Sequence, residues 1–562
     1  MHTELPKNTK GFLSFERLTK GPWQAFERAI ARLLAHKGWE VYDVVGGTGD
    51  KGADILAAHK GSDRIFQLKF SERNAPLSVD IVGDVKRAIE YYGITEGVCV
   101  SNRQLGVQQK RKLKVLQDQG YNITTFTGRS ILNSYEALPE WALDEKSLRP
   151  YQHDALDNIL SSYLNNEGRG LVALATGLGK TYVAACFLRW LFSKYPSNNV
   201  LVLADKRELL LQFDKAIWTN LPKSVATHIL YEAEKPSFLE GVILSTFQSF
   251  EKFYSTNADL HFDIVIVDEA HHGPADTYKE VLKALQPRYL LGLTATPFRS
   301  DDKSVTEIFG RPLVKYGVVR AMRKGFLSEV EYRIKNDNVD KDWISRNSEK
   351  GYTIRQLNKK LFIPERDETI CSSIIDYWKL KKCNRGIIFC NSTTHAHRIE
   401  KLLRSTYDFP VRALTTRVDK KDRVRRIRLF RKGHIKILTC YDMLNEGIDV
   451  PDVDMLVYLR VTHSRIIFLQ QLGRGLRYIE GKTLLVLDYV ADIRRIKEVQ
   501  RFKTEYDDYK DNMIEELHLP KGFDLTFSDN DTASFLNLVT RDESEIEDMD
   551  IDERVFISRI DE

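Results

Sequence analysis

Short apolar runs alternate with amphipathic stretches from Leu148 onward. "LVALA", "VLVLA", "GVILST", "FDIVIVD" and "YLLGLTA" have the pattern of strands buried on both faces of a parallel sheet. A second set, "GIIFC", "IKILTC", "MLVYLR" and "TLLVLDY", follows a polar, irregular stretch from Glu331 to Pro364. Two parallel-sheet lobes with a cleft between them are expected. The chain before them reads differently. "WQAFERAIARLLAHKG" predicts an amphipathic helix ended by Gly38, with Trp23, Phe26, Ile30, Leu33 and Leu34 on its apolar face. "WEVYDVV" predicts a strand. A hairpin, a helix over Val79–Tyr92, the strand "GVCVS" and the helix "VQQKRKLKVLQDQG" follow. The fold class expected is α/β, divided into residues 1–140, a linker at 141–147 bracketed by Pro139 and Pro150, lobes at 148–330 and 331–490, and a helical C-terminal segment at 491–562.

The totals change little. A chain of 562 residues accommodates three or four domains, and 29% charged with 42% hydrophobic residues suits sizeable cores. No apolar run reaches spanning length and the N-terminus has no apolar h-region, so neither a transmembrane helix nor a secretory signal is expected. The six cysteines are scattered without a Cys-x-x-Cys pair, which argues against structural zinc and for a reducing cytoplasm. A formal net charge of +5 permits nucleic-acid binding without arguing for it. The acidic end, "DESEIEDMDIDE", reads as a solvated tail, with an autoinhibitory nucleic-acid mimic as the alternative. No repeat of solenoid period is present.

Chemistry enters with "GLVALATGLGKT", a strand, loop and helix start. Thr176, Gly177 and Gly179 form a loop whose amides can turn toward phosphate oxygens; Lys180 adds a point charge and the Thr181 hydroxyl can ligate Mg²⁺. The first glycine of the general phosphate-loop pattern is Leu174 here. "FDIVIVDEAHH" puts Asp268 and Glu269, followed by His271, at the C-terminal end of an apolar strand, where open parallel sheets hold ligands. Asp268 suits a Mg²⁺ shell and Glu269 suits orientation of an attacking water.

This series resembles superfamily 2 helicases of the DEAD/DEAH-box class from about Leu148 to Val490. "LRPYQ" is similar to the adenine-side motif, through Arg149 and Gln152. "LTATPFR" is similar to the coupling motif, through Thr294, Ala295 and Thr296, and "STFQ" to a strand-contacting motif. "MLNEGIDVPDV" resembles motif five, with Glu446, Gly447 and Asp449, and "QQLGRGLR" motif six, with Gln470, Arg474 and Arg477. The resemblance implies two RecA-like lobes, ATP and Mg²⁺ as cofactors, and Arg474 and Arg477 reaching the γ-phosphate from the second lobe. An arginine finger contributes roughly 10³–10⁵ in rate. Within the class the motifs look closest to the motor subunits of type I and type III restriction enzymes and their repair relatives, which implies duplex DNA as partner.

The stretch "GGTGDKGADILAAHKGSDRIFQLK" precedes this motor. Its Gly47-x-Gly49-x-x-Gly52 formally fits a dinucleotide fingerprint, but no long helix follows the third glycine. A hairpin reading explains more. With a turn at Gly61-Ser62, Asp54 stands opposite Lys69, and Gln67 shares the face of Lys69 because strand side chains alternate. Asp54 and Gln67 can hold a hard cation, and Lys69 can position or activate a water beside a phosphate. Glu27 lies near the apolar face of the first helix, where either a neighbouring arginine or a metal would satisfy it. Glu27, Asp50, Asp54, Gln67 and Lys69 resemble the Mrr-type branch of the PD-(D/E)xK restriction-endonuclease fold over about Pro22–Ile131. That resemblance implies a metal-dependent DNA nuclease with Glu27, Asp54 and Gln67 as metal ligands.

The leading expectation is an ATP-dependent DNA helicase or translocase with a Mg²⁺-dependent endonuclease domain, acting in restriction or antiviral defence and open to a protein partner from the same system. Three readings stand beside it: a repair translocase whose nuclease-like domain only binds DNA, an RNA helicase, and a scaffold that uses ATP only to switch shape.

Overall fold

The computed structural model describes residues 11–13, 18, 21–44, 53–143, 146–231, 234, 239–255, 260–270, 276–295, 303–334, 352–353, 366–441, 453–460, 465–489, 523–527 and 554–555. The chain divides into two compact units, one of residues 1–174 with 179–315 and one of residues 175–178 with 316–562. Asp50, His271, Thr296, Glu446, Gly447, Asp449 and the acidic tail lie outside the described residues, as does the side chain of Gln470.

The first unit opens with a five-stranded sheet in the order β1 (Glu40–Val44), β2 (Ile55–His59), β3 (Ser62–Lys69), β4 (Glu96–Ser101) and β5 (Asn122–Thr127). β1, β2 and β3 pair antiparallel, whereas β3, β4 and β5 pair in parallel. Alternation sorts the side chains onto two faces. Ile55, Ala57, Phe66, Leu68, Val98 and Val100 form one core with Phe26, Ala29, Ile30 and Leu33 of the helix Trp23–His36. The other face carries Gln67, Lys69, Gly97 and Cys99, and there the helix Ile81–Tyr92 lies so close that a Cβ on Gly97 would meet Val85 Cγ1 at 2.3 Å.

The hairpin corrects one expectation. Its two turn residues are Lys60 and Gly61, with φ of 50° and 81°, because His59 pairs with Ser62. Two positive φ values make the tight turn whose twist suits a hairpin, and glycine carries the second at no steric cost. The turn therefore sits one residue earlier than Gly61-Ser62, and every cross-strand partner moves by two. Ile55 faces Phe66, where the paired ladder ends, and the Asp54 carboxylate meets the Gln67 amide rather than Lys69. A shift of two preserves the face, so Asp54, Gln67 and Lys69 still share one side.

The first unit continues with a seven-stranded sheet ordered β12-β6-β11-β10-β7-β9-β8. Its strands are β6 (Arg169–Leu174), β7 (Val200–Ala204), β8 (Thr227–Leu230), β9 (Val242–Thr246), β10 (Ile264–Asp268), β11 (Tyr289–Thr294) and β12 (Pro312–Tyr316). β6 to β11 pair in parallel. Every residue of β7, β9 and β10 is buried, which is why these strands read as unbroken apolar runs. The second unit holds another seven-stranded sheet, all parallel, ordered β16-β17-β15-β18-β19-β13-β20. These are β13 (Glu329–Ile334), β15 (Gly386–Cys390), β16 (Val411–Leu414), β17 (Ile437–Cys440), β18 (Met455–Leu459), β19 (Thr483–Asp488) and β20 (Phe523–Phe527); β14 (Tyr352–Thr353) and β21 (Arg554–Val555) pair apart from it. Both seven-stranded sheets have the RecA-like parallel form expected. Among the described residues no helix is long and apolar enough to cross a membrane.

Within the first unit the N-terminal sheet is docked on the parallel sheet through a polar stripe of its first helix. Arg28, Arg32 and His36 recur every four residues, on one side of the helix. Arg28 forms a bidentate pair with Glu234 and lies 3.6 Å from Asp214. Arg32 donates to the carbonyls of Val225 and Pro222 at 2.8 and 2.9 Å, and its guanidinium sits over the Phe12 ring. Glu140, just before the stretch read as a linker, accepts from Ser224 N and its carbonyl accepts from Lys223 N, and within the stretch Lys146 O accepts from Tyr182 Oη.

His36 makes this docking acid-sensitive. Its Nε2 lies 2.9 Å from the Trp218 carbonyl, so it carries the hydrogen, and Nδ1 is buried without a partner. Burial, then the Arg32 charge, lowers its pKa to about 3. The unfolded chain takes up a proton near pH 6.5 and the folded chain does not. The contribution to stability is complete above that pH and is lost as pH falls toward 3, at no more than about 1.4 kcal/mol per pH unit. Urea unfolding of the full chain at pH 7 and pH 5 should show the wild type losing stability relative to His36→Gln. A gap between the two that does not change with pH would refute a buried neutral histidine.

Candidate functional site

The parallel sheet of the first unit ends in a charged cluster. Burial of β10 on both faces carries Asp268 to its C-terminal end, and the chain turns at Glu269, which has φ of 52°. Lys180 opens the helix Lys180–Lys194, and its Nζ lies 3.3 Å from Asp268 Oδ1 and in contact with Glu269 Oε1. Burial works against the Lys180 charge, yet the Asp268 and Glu269 carboxylates outweigh it and raise its pKa, so the ammonium stays charged. Thr181 follows it in the first turn of the helix, half-buried.

The loop before that helix needs its glycines. Gly177 and Gly179 have φ of 92° and 79°. A Cβ on Gly179 would come within 2.7 Å of Gln152 Nε2, so Gln152 packs against this loop. Gln152 Oε1 in turn accepts from Arg149 N at 2.9 Å, at the start of the helix Pro150–Leu164. Thr176 is half-buried. Thr294 is buried at the end of β11, with Ala295 next to it. In "STFQ", Thr246 Oγ1 accepts from Ser249 N and caps the helix Phe247–Tyr254, while Gln248 is exposed.

Arg474 and Arg477 belong to the second unit. Arg474 is half-buried in the helix Arg465–Leu476, and Arg477 is exposed just beyond it. That helix end is fixed from β13's side: Ser328 N donates to Leu476 O and Ser328 Oγ to Arg477 O.

The N-terminal sheet brings a second group together. Asp54 N donates to Phe66 O, one residue off the register in which Ile55 faces Phe66, and Asp54 Oδ2 accepts from Leu68 N at 2.5 Å. Gln67 is fully buried; its Nε2 lies 2.5 Å from Asp54 Oδ2 and 3.3 Å from Leu68 O. Gln67 Oε1 is buried and takes no hydrogen bond. A buried acceptor left unpaired costs about 1–3 kcal/mol. The amide thus turns its donor toward two oxygens and strands its acceptor. With the amide turned over, Oε1 would join the Asp54 carboxylate and the Leu68 carbonyl as a third oxygen, which is a donor set for a hard cation.

Lys69 follows on the same face, with Nζ 3.4 Å from Asp84 Oδ2 of the helix Ile81–Tyr92. Asp84 was not legible as a site residue: only the fold of that helix onto β3 brings it there. Glu27 is buried on the helix that covers the opposite face, whose first turn reaches the far end of β3 through Phe26 against Phe70. Among the described residues no three His, Cys, Asp or Glu side chains form a metal-holding group. The donor set at Asp54 is one carboxylate with an amide and a backbone oxygen.

Comparison with known proteins bears on both groups. Residues 18–133 match the family model of a restriction endonuclease, residues 145–299 that of the type III restriction enzyme res subunit, and residues 346–479 the helicase conserved C-terminal domain. The chain joins an Mrr-type restriction-endonuclease domain to a superfamily 2 helicase core. Its sequence is 26% identical over 380 residues to the type I restriction enzyme EcoAI endonuclease subunit of Escherichia coli, covering 61% of this chain and 46% of that one. It is 26% identical over 392 residues to the DNA 3'-5' translocase XPB2 of Sulfurisphaera tokodaii, covering 63% and 84%. The ATP-dependent Type ISP restriction-modification enzyme LlaBIII, solved bound to DNA, shares the fold at a TM-score of 0.53 and 15% identity, over 91% of this chain and 41% of that one. The chain spans about half the length of several of the curated relatives it matches. The matched families imply use of ATP and of a divalent metal. The Asp54–Gln67 group lies in the Mrr-type domain, and the Lys180–Asp268–Glu269 group in the helicase core.

Proposed function

We propose that this chain is an ATP-driven DNA helicase or translocase whose Mrr-type domain is a Mg²⁺-dependent endodeoxyribonuclease, serving restriction or antiviral defence. The observation that carries the reading is the stranded Gln67 oxygen beside the Asp54 carboxylate, in the same compact unit as the Lys180 cluster. The relatives' names, an endonuclease subunit and a DNA translocase, support both halves. The word subunit also supports a protein partner from the same system.

In the motor, Lys180 would exchange its carboxylate partners for phosphate oxygens, Thr181 and Asp268 would hold Mg²⁺, and Glu269 would orient the attacking water. Arg149 and Gln152 suit the adenine side, and Thr176, Gly177 and Gly179 the phosphates. Arg474 and Arg477 would supply positive charge to the γ-phosphate as it is transferred. His271, Gly447, Asp449 and Gln470 keep the roles implied by resemblance.

In the nuclease, Asp54, Gln67 and the Leu68 carbonyl would hold the cation, with Glu27 joining from the first helix. A metal held there would supply Lewis acidity to the phosphodiester chemistry. Lys69 places a cation on the same face, where it would offset charge growing on the scissile phosphate. Affinity for DNA would come mainly from phosphate contacts, without sequence reading.

The test is ATP hydrolysis and cleavage measured together on linear, circular, forked and modified DNAs. Duplex-stimulated hydrolysis with Mg²⁺-dependent strand breaks is expected. Stimulation by RNA alone would replace the reading with an RNA helicase. Absence of cleavage on every DNA, with DNA still bound, would replace it with a repair translocase.

A further inference from the structure

The nuclease reading names Lys69 but leaves open what holds a long, flexible ammonium in place. The structure supplies a holder from another element. Asp80 caps the helix Ile81–Tyr92 by accepting from Gly83 N at 3.0 Å, which sets the helix start and puts Asp84 in its first turn. A carboxylate there is favoured by the positive end of the helix dipole. The helix packs on the face of the sheet that carries Gln67 and Lys69, fixed by Val85 and Ile89 over Gly97. Asp84 thereby faces Lys69, with Oδ2 3.4 Å from its Nζ. The Asp84 side chain is 17% exposed and that of Lys69 28%, so this pair is more sheltered than an ordinary surface bridge. Its other oxygen, Oδ1, contacts Arg87 one turn along, which orients the carboxylate. The same charge reaches the sheet: Cys99, paired with Gln67 across β3 and β4, has its thiol pushed up to about 12 by burial first and then by Asp84 and Asp80.

We propose that Asp84 is the positioning residue of the nuclease: it fixes the Lys69 ammonium on the face of the sheet where Asp54 and Gln67 meet. This rests on the nuclease reading above. Asp84 is not a ligand in the proposed cation site and touches no reacting atom; it acts through Lys69. The alternative is an ordinary first-turn ion pair that only stabilises the helix, and the two differ in what they do to turnover.

The test uses the full-length protein, a cleavable duplex and Mg²⁺. Asp84→Asn keeps the shape and removes the charge. Losing a supporting partner of this kind costs typically about 10–100-fold. Cleavage kcat should fall by that factor, with KM for DNA changed less than about twofold, since phosphate contacts elsewhere set binding. In a Lys69→Ala background, Asp84→Asn should lower the rate no further, because the group it positions is gone. Asp84→Glu should recover part of kcat. Circular dichroism and thermal unfolding confirm that each variant is folded. Wild-type kcat in Asp84→Asn, or losses from Asp84→Asn and Lys69→Ala that multiply, would overturn the positioning role and leave the nuclease reading standing. A wild type that cuts no DNA with any divalent metal would overturn the nuclease reading, and this role with it.

Discussion

Lys180→Ala hydrolyses ATP at least about 10²–10³-fold more slowly than the wild type, the loss typical when one preorganised charge on the transferred group is removed. The argument starts from the ground state. Lys180 is the cation between Asp268 and Glu269, two adjacent buried carboxylates at the end of β10. Without it, burial and the neighbouring Glu269 charge, which already raise the Asp268 pKa, act unopposed and favour its protonated form. A protonated Asp268 is a poor Mg²⁺ partner. The single truncation thus removes the phosphate's counter-charge and weakens Asp268 as a metal ligand. Glu269→Gln differs from it: it keeps Lys180 paired with Asp268 and leaves nucleotide binding in place while turnover stops. DNA-stimulated phosphate release together with equilibrium binding of a fluorescent ATP analogue separates the two variants. Turnover at the wild-type rate in purified Lys180→Ala would remove the motor assignment.

Asp54→Ala abolishes DNA cleavage, by at least about a thousandfold, because a metal's Lewis acidity is worth several kcal/mol of transition-state stabilisation. Asp54 is the carboxylate of the proposed site and also part of the hairpin. Its Oδ2 accepts the Leu68 amide and the Gln67 side chain, so truncation frees both. Asp54→Asn separates the two functions, since an amide oxygen can still accept from Leu68 N while the charge that a cation requires is gone. Both substitutions should lose cleavage, with Asp54→Asn closer to wild type in thermal stability. ATP hydrolysis should survive in both, since Lys180, Asp268 and Glu269 lie on the parallel sheet and not on the hairpin. Metal-dependent cleavage and ATP turnover are measured on the same preparations. Cleavage persisting in Asp54→Asn would contradict the metal site, and loss of ATP turnover would show the hairpin to be needed for folding of the whole first unit.

Sequence alone determined the elements whose chemistry is local. β7, β9, β10, β15 and β18 read as unbroken apolar runs because parallel strands are buried on both faces, and the run sits in consecutive residues. The strand, glycine loop and helix start at Lys180 and Thr181 were legible for the same reason: they are neighbours in the chain. β8, β12 and β16 were not legible because "THIL", "PLVKY" and "VRAL" set polar residues inside runs too short to show a pattern.

Tertiary structure decided what depends on distant segments. The hairpin register turned on whether Lys60 could take a positive φ, a choice that "HKGSD" leaves open and that pairing of His59 with Ser62 settles. Asp84 met Lys69 only once a helix had folded over β3, fifteen residues along the chain. Arg28, Arg32 and His36 look like the wet side of an amphipathic helix, since charged residues opposite an apolar stripe usually face water. They are instead the dry joint between the Mrr-type domain and the first parallel sheet, because Glu234 and the carbonyls of Pro222 and Val225 meet them with matched acceptors. A helix sequence shows which side is polar. Whether that side meets solvent or a partner surface is decided by residues nearly two hundred positions away.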